Sequence, residues 1–574
     1  MTFFTTGNNS IDALVYSSWA SRPGTAVSLT YSFMTTAPSD GTVDDVNGFL
    51  AMSTFQRQAV RTALATWSAV ANIKFTEVFS GGDIQLGTNN QGSQSSGYAY
   101  LPNGNDPTYL FTNNVDTFNT VFTPGTFGPS VLIHELGHTL GLKHPGNYDS
   151  TGGSIDGPFL PSATDNIDYS QMSYNTSAGY QLNHQYGITP MLYDIQAMQY
   201  LYGANMTYHT GNDSYDFVQN SPLQCIWDAG GSDTFNFSGC TDAVTINLNA
   251  GTFSSTAPGY NNISIAYNVT IEAAVAGSGG STIYANGSGD RITGGAGVDI
   301  IYEGAGNDTI LGSGGNDTVV FSGALSKYLL SGSGAALTVV GDGTDSLSGV
   351  KTLQFGDTSI DASSISRFVS GGAGNDVLTA GAGNEVFTGG AGLDYVNVGG
   401  VRSNYAVTAS GSVYLATDKS GVGGQDILSG VERLVFANGD AVAFDIGDHN
   451  SAGEAYRLYQ AAFNRVPDQE GLGFWIRALD SGFAFYAVAQ NFLISSEFAK
   501  TYGSNLSDKQ FVDLLYHNIL HRDPDAGGEA YYLNALSLGE SRAVVLGSIS
   551  ESPENQLGVV GSITNGIGYK VYTG

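Results

Sequence analysis

Positive charge is scarce in this chain: 20 Lys and Arg stand against 51 Asp and Glu in 574 residues, a formal net charge of −31. So acidic a protein repels phosphate backbones and anionic membrane surfaces, which excludes nucleic acid and such membranes as partners. Cysteine is almost absent. Cys225 and Cys240 stand alone, so disulfides do not supply the framework, and the two either pair across one turn or remain buried thiols. No run of 18 apolar residues occurs, so no transmembrane helix is expected. The first basic residue is Arg22, so a cleavable secretory leader of the usual basic-then-apolar type is not expected either.

Glycine, in contrast, is abundant, with 78 residues, about twice the usual ~7%. Together with 41% hydrophobic and 11% aromatic residues, it points to packed, glycine-patterned repeats rather than disorder. The length calls for roughly two to four domains.

Three textures divide the chain. Residues 1–205 are mixed α/β: "LTYSFM" alternates like a strand, and "STFQRQAVRTALATWSAVANI" has helical spacing after a Ser/Thr cap. In "GPSVLIHELGHTLGL", Ser130 is expected to cap a helix that Gly141 ends, and "TPMLYDIQAMQYLYGAN" is a further helix. Residues 206–446 are short strands between Gly/Asn/Asp turns, and residues 447–574 return to helical periodicity.

The chemistry concentrates in "HELGHTLGLKHPG". His134 and His138 lie one helical turn apart on one face. Gly141 lets the chain turn so that His144 returns as a third nitrogen ligand. Three neutral imidazoles suit Zn²⁺ with a position open to water, and Glu135 beside them can act as general base. An open site of this kind implies catalysis, whereas structural zinc usually has four protein ligands.

The full HExxHxxGxxH pattern resembles the metzincin peptidases, and Pro145 after the third histidine places the resemblance in the serralysin branch. "YSQMSYN" resembles that family's Met-turn, with Met172 beneath the metal. The similarity runs from "IDALVYSSW" at residue 11 to about residue 300. It implies that Tyr174 is an additional, displaceable zinc ligand whose phenol stabilises the oxyanion. It also implies a substrate-binding edge strand, for which Tyr98, Ala99 and Tyr100 are the candidates. Only ten residues precede "IDALVYSSW", few for an inhibitory pro-segment.

Ligand-type residues then recur every nine positions, at Asp290, Asp299, Asp308 and Asp317, and again at Asp376, Glu385 and Asp394. Six turn residues followed by three strand residues make each unit half a circuit of a flattened coil, with a hard oxygen ligand at the sixth position. This resembles the RTX β-roll, in which calcium lies between turns two repeats apart. Turns 285–290 and 303–308 then share one ion, 294–299 and 312–317 another, and 371–376 and 389–394 a third. Asp228 and Asp233 in "WDAGGSD" resemble a further calcium loop. Ser281 and Glu385 depart from the Asp of the pattern. Each array is followed by a matching segment, "DSLSGVKTLQF" and "DILSGVERLVF", which marks a duplicated module. The arrays imply folding in extracellular calcium after export as an unfolded chain by a type I secretion apparatus, although "GIGYKVYTG" lacks the tail usual in serralysins.

At the end, "LYQAAFNRVPDQEGLGFWIRAL" recurs as "LYHNILHRDPDAGGEAYYLNAL" at an offset of 57. It resembles a bacterial domain family of unassigned function. Arg465/Asp468 and Arg522/Asp525 tie each repeat's turn together or, alternatively, bind a sugar or surface polymer. The expected architecture is thus multidomain: an α/β metzincin catalytic domain (1–205), a parallel β-roll or β-solenoid (206–446) and an all-α domain (447–574). The expected function is secreted, zinc-dependent cleavage of protein substrates. The competing class is a cell-surface or matrix-associated binding protein whose peptidase acts mainly in self-processing.

Overall fold

Ser53 opens the first long helix because its side chain and that of Gln56 satisfy each other's free backbone N–H groups. In the computed structural model, which describes residues 5–104, 106–148 and 157–574, this helix, α1 (Thr54–Val70), buries Val60, Leu64 and Trp67. The chain divides into two compact units, Met1–Val320 and Phe321–Gly574, and each is described by itself.

The sheet of the first unit begins with β1 (Val27–Phe33), followed after α1 by β2 (Ile73–Glu77), β3 (Ile84–Asn89), β4 (Gly97–Ala99) and β5 (Thr108–Asn113). They form a sheet in the order β2-β1-β3-β5-β4, parallel except for β4, which runs antiparallel to β5 and leaves one edge open. Helix α2 (Phe127–Thr139) carries the metal motif, and α3 (Leu192–Tyr202) ends at Gly203. Thr126, not Ser130, is the N-cap of α2. Ser130 lies a turn inside the helix and donates to Gln171 Oε1 at 3.0 Å.

The β-roll follows in the same unit. Strands Thr234–Gly239, Ala273–Val275, Arg291–Thr293 and Thr309–Leu311 pair in parallel on one side, and Val244–Asn247, Ser281–Tyr284, Ile300–Tyr302 and Thr318–Val320 on the other. Arg291 lies opposite Thr309 and Ile300 opposite Thr318, so one circuit takes two nine-residue units. The middle residue of each short strand, Ile283, Ile292, Ile301, Ile310 or Val319, points inward and is buried. Each contributes about 1.5–3 kcal/mol of apolar burial to a coil that has only three strand residues per turn.

The second unit repeats the design. Strands Arg367–Ala373, Glu385–Ala391 and Gln425–Ser429 are parallel, as are Val377–Thr379, Tyr395–Val398 and Arg433–Phe436. The duplicated segments form matching antiparallel meanders, Leu329–Ser333, Ala336–Val340 and Thr344–Ser348, then Tyr405–Ser410, Val413–Asp418 and Gln425–Ser429. The helical end has the expected two halves, Ser451–Phe463 with Gln469–Asp480 and Asp508–Leu515 with Ala526–Ser537. Its last strand, Ile567–Lys570, pairs with Asp440–Ala443, a return that helical periodicity did not predict. Cys225 and Cys240 are both free and buried.

Candidate metal centre and calcium turns

Helix α2 presents His134 and His138 one turn apart, and both are about nine-tenths buried. Gly141, at φ +106°, then reverses the chain. A Cβ there would collide with the Ser17 carbonyl, so only glycine allows the close approach. Tyr16 N and Ser17 N donate to Gly141 O, and Lys143 N donates to Leu14 O at 2.7 Å, which fixes the segment that returns His144. His144 Nε2 stands 3.2 Å from His134 Nε2 and 3.1 Å from His138 Nε2.

The donor set fits zinc. His134 Nδ1 lies 2.7 Å from Gln171 O and His138 Nδ1 2.8 Å from Leu142 O. A carbonyl only accepts, so both Nδ1 atoms carry the proton and both Nε2 lone pairs face His144. Burial, reinforced by His138, pushes His134 down to about 3, which keeps it neutral. Nitrogens sharing a tetrahedral zinc at about 2.0–2.1 Å stand roughly 3.3 Å apart, close to the spacing found.

Glu135 follows His134 on α2. Its carboxylate is buried, Oε2 has no hydrogen-bond partner, and burial alone pushes it up to about 8. Strand β4 lies against it: a Cβ on Gly97 would sit 3.1 Å from Glu135 Oε1. Because Tyr100 N donates to Tyr109 O and Asn113 N to Ser96 O, residues 96, 98 and 100 direct their backbone groups to β5. Gly97 and Ala99 direct theirs to the open edge. The Tyr98 and Tyr100 phenols face away from Glu135 and donate to Asp45 at 2.7 and 3.1 Å. Among the three candidate strand residues, Ala99 is therefore the one with backbone groups turned outward, and sequence reading missed its companion Gly97.

Met172 is fully buried beneath α2, with its sulfur 2.6 Å from where a Cβ on Gly137 would be. Tyr174 is half exposed, and its ring centroid lies 4.4 Å from that of His144 and 5.6 Å from that of His134. Two further residues, unremarked in the sequence, hold this turn. Asp194 on α3 accepts from Ser170 Oγ (2.6 Å), Gln171 N (2.7 Å) and Met191 N (2.9 Å), while burial pushes its carboxyl up to about 6 against those bonds. Asp165 accepts from Tyr148 OH (2.9 Å) and Ser173 Oγ (2.7 Å), and Tyr174 N donates to the same Tyr148 oxygen. Capping by Asp194 was legible in "MLYD", but its reach to the Met-turn depends on the fold.

The aspartates of the arrays line up in columns. Asp290 N donates to Asp308 Oδ1 (2.6 Å), Asp299 N to Asp317 Oδ1 (2.9 Å) and Asp376 N to Asp394 Oδ1 (2.8 Å). One oxygen each of Asp233, Asp290, Asp299, Asp317, Asp376 and Asp394 is buried with no partner. Such oxygens cost about 1–3 kcal/mol or more apiece unless a cation meets them, so the turns fit calcium. Asp228 differs, with both oxygens engaged by Gly230 N (2.8 Å) and Tyr215 OH (2.6 Å), beside His209 and Asp213. Glu272 joins the same column, accepting from Asp233 N at 2.7 Å. It stands two nine-residue steps before Asp290 and was legible had the phase been followed past Ser281. Glu385 is paired with Arg367 at 2.7 Å, a guanidinium where a cation would otherwise serve.

In the helical end Asp468 caps Gly471 N (2.7 Å) and Asp525 caps Gly528 N (2.8 Å), while Arg465 and Arg522 reach Glu497 and Glu554, each at 2.7 Å. The aspartates thus close their own turns as N-caps, with the Arg–Asp contacts at 3.4 and 3.3 Å, whereas each arginine's shorter tie runs to a glutamate of a later helix in the same half.

Two histidines on one helix, a third returned by a glycine reversal and a methionine turn beneath them make a candidate metal centre that resembles that of the metzincins. Comparison narrows the class. Residues 193–329 match the peptidase M10 serralysin C-terminal family, 368–396 the RTX calcium-binding nonapeptide repeat, and 489–558 a domain family of unknown function (DUF4214). The chain is 38% identical over 266 residues to a serralysin of Proteus mirabilis, covering 40% of this chain and 54% of that one. It is 38% identical over 297 residues to the metallopeptidase AprA of Pseudomonas marginalis (46% and 61%) and 35% identical over 286 residues to the metalloprotease AprA of Pseudomonas entomophila strain L48 (45% and 59%). The chain thus spans 54 to 61% of the length of these curated relatives. Over these segments it is similar to serralysins, and a match to RTX calcium-binding repeats follows. Among the described residues no helix is long and apolar enough to cross a membrane.

Proposed function

We propose that this protein is a secreted zinc endopeptidase of serralysin type. The observation that carries the proposal is the convergence of the His134, His138 and His144 Nε2 atoms beside a buried Glu135 carboxylate oxygen with no other partner. His134, His138 and His144 would hold zinc, which would supply Lewis acidity to a water molecule and to the scissile carbonyl. Glu135 takes the water's proton at its carboxylate and passes it to the departing amine nitrogen. Tyr174, next to His144, moves to donate its phenolic hydrogen to the developing oxyanion. A substrate strand adds to the open edge of β4 by pairing with the outward N–H and C=O groups of Gly97 and Ala99, which lays the peptide alongside Glu135.

Calcium at the array turns completes the β-roll, and the acidic chain folds once calcium neutralises it outside the cell. Export by a type I apparatus is consistent with that order of events. Residues 1–205, 206–446 and 447–574 serve as catalytic, calcium-binding and helical segments respectively, and the ties of Arg465 and Arg522 favour structural closure of the helical repeats over sugar binding. The deciding experiment is casein hydrolysis by Glu135→Ala at full zinc occupancy. Activity should fall by about 10²–10⁴-fold; undiminished hydrolysis would overturn the proposal.

A further inference from the structure

The two edges of the second array neutralise their carboxylates differently. On one edge Arg367 lies opposite Glu385 and pairs with it, and Glu385 N donates to Asp426 Oδ1 at 3.1 Å. A built-in guanidinium serves that column. On the other edge stand Asp376, Asp394 and Glu432: Asp376 N donates to Asp394 Oδ1 (2.8 Å), and Asp394 N to Glu432 Oε2 (2.7 Å). The neighbouring Arg433 does not neutralise this edge. Its guanidinium is bound to Asp445, to Asp480 at 2.9 Å and to the Glu432 backbone carbonyl.

The step from Asp394 to Glu432 is not a nonapeptide. The two lie 38 positions apart, with the 405–418 hairpin between them, and "LSGVE" has no glycine-rich turn pattern. Yet the turn copies the array's geometry. A Cβ on Gly371 would collide with Gly389 O and lie 2.7 Å from Asp376 Oδ2. A Cβ on Gly389 would likewise collide with Gly430 O and lie 2.6 Å from Asp394 Oδ2. The parallel register is kept as well, with Tyr395 opposite Arg433 as Val377 is opposite Tyr395. Asp394 is fully buried, and its Oδ2 has no hydrogen-bond partner.

We propose that a further calcium ion binds between turn 389–394 and turn 428–432, held by the carboxylates of Asp394 and Glu432 and by the carbonyl oxygen of Gly430. Other carbonyls of the two turns and water complete the six to eight oxygens calcium takes. The nonapeptide pattern hides this site because its outer ligand comes from the segment that follows the inserted hairpin. In the sister module the aligned segment reads "LSGVK", and Lys351 stands where Glu432 does. The sister copy thus has a cationic side chain at the sequence position where this copy has a carboxylate.

The inference rests on the calcium reading of the arrays, and native mass spectrometry of the full chain in calcium separates the two. Glu432→Gln should carry one calcium fewer than the unaltered protein, and Asp394→Asn, which serves both neighbouring sites, two fewer. Glu432→Lys, built like the sister module, should also lose one ion while unfolding at a midpoint no lower than that of Glu432→Gln. In crystals of the unaltered protein, anomalous scattering should show calcium between Asp394 and Glu432. An unchanged count in either Glu432 variant, or no peak there beside filled turns at Asp290 and Asp308, overturns this site alone. A chain that binds no calcium at all overturns the array reading with it.

Discussion

Asp194 offers the sharpest test of how the metal centre is held, because it touches no proposed ligand. Its Oδ2 accepts from Gln171 N and Met191 N, and its Oδ1 from Ser170 Oγ. The carbonyl of the same Gln171 then fixes the His134 tautomer at 2.7 Å. In Asp194→Asn one oxygen becomes a donor. If the amide faces Ser170, that hydroxyl must rotate to accept; if it faces the two N–H groups, both are left unsatisfied. Either way one or two charge-assisted bonds are lost, a cost of about 1.5–6 kcal/mol in stability at roughly 1.5–3 kcal/mol each. Loosening the Gln171 carbonyl should weaken zinc binding by about 10–100-fold, as removal of such outer partners typically does. Competition against a chromophoric chelator at neutral pH measures the affinity, and thermal unfolding with and without zinc measures the stability. Zinc affinity equal to that of the unaltered protein would refute the argument that Asp194 acts through Gln171 on His134.

Tyr174→Phe should lower kcat by about 10²–10³-fold with KM little changed, since the phenol acts only as the oxyanion forms; parallel loss of substrate binding would contradict that role. Chelation by EGTA should lower the unfolding midpoint and the β-sheet circular dichroism signal. Each emptied site removes about 2–3 kcal/mol when calcium was at 100 times its Kd, and identical melts with and without calcium would refute the calcium fit of the turns. Arg433→Met leaves Asp445 and Asp480 buried without their guanidinium and should cost about 3–5 kcal/mol in urea unfolding of the second unit; an unchanged transition would show that the two carboxylates find other partners.

Much of this protein was legible in its residues. His134, Glu135, His138 and Gly141 sit within one helix and its exit, so local spacing alone placed them. The nine-residue phase of Asp290 to Asp317 reappeared as an eighteen-residue parallel register, because each unit is a half-circuit that must repeat its inward residue. Reading stopped where the phase was interrupted. Glu272, Asp426 and Glu432 continue the columns, but Ser281 and the inserted hairpins separate them from the pattern. Ser130 looked like a helix cap because hydroxyls favour that position, yet Thr126 begins the helix and Ser130 serves Gln171 instead.

The sequence by itself determined the spacing of the histidines and the phase at which the array aspartates recur, since helical and nine-residue periods are properties of neighbouring residues. Tertiary structure alone decided which backbone and side-chain groups meet across long separations. Asp194 reaches the turn of Met172, Gly97 comes against Glu135, and Glu432 closes on Asp394. Those contacts depend on how sheets stack and chains return, and that geometry is set by packing of the whole rather than by any local spacing.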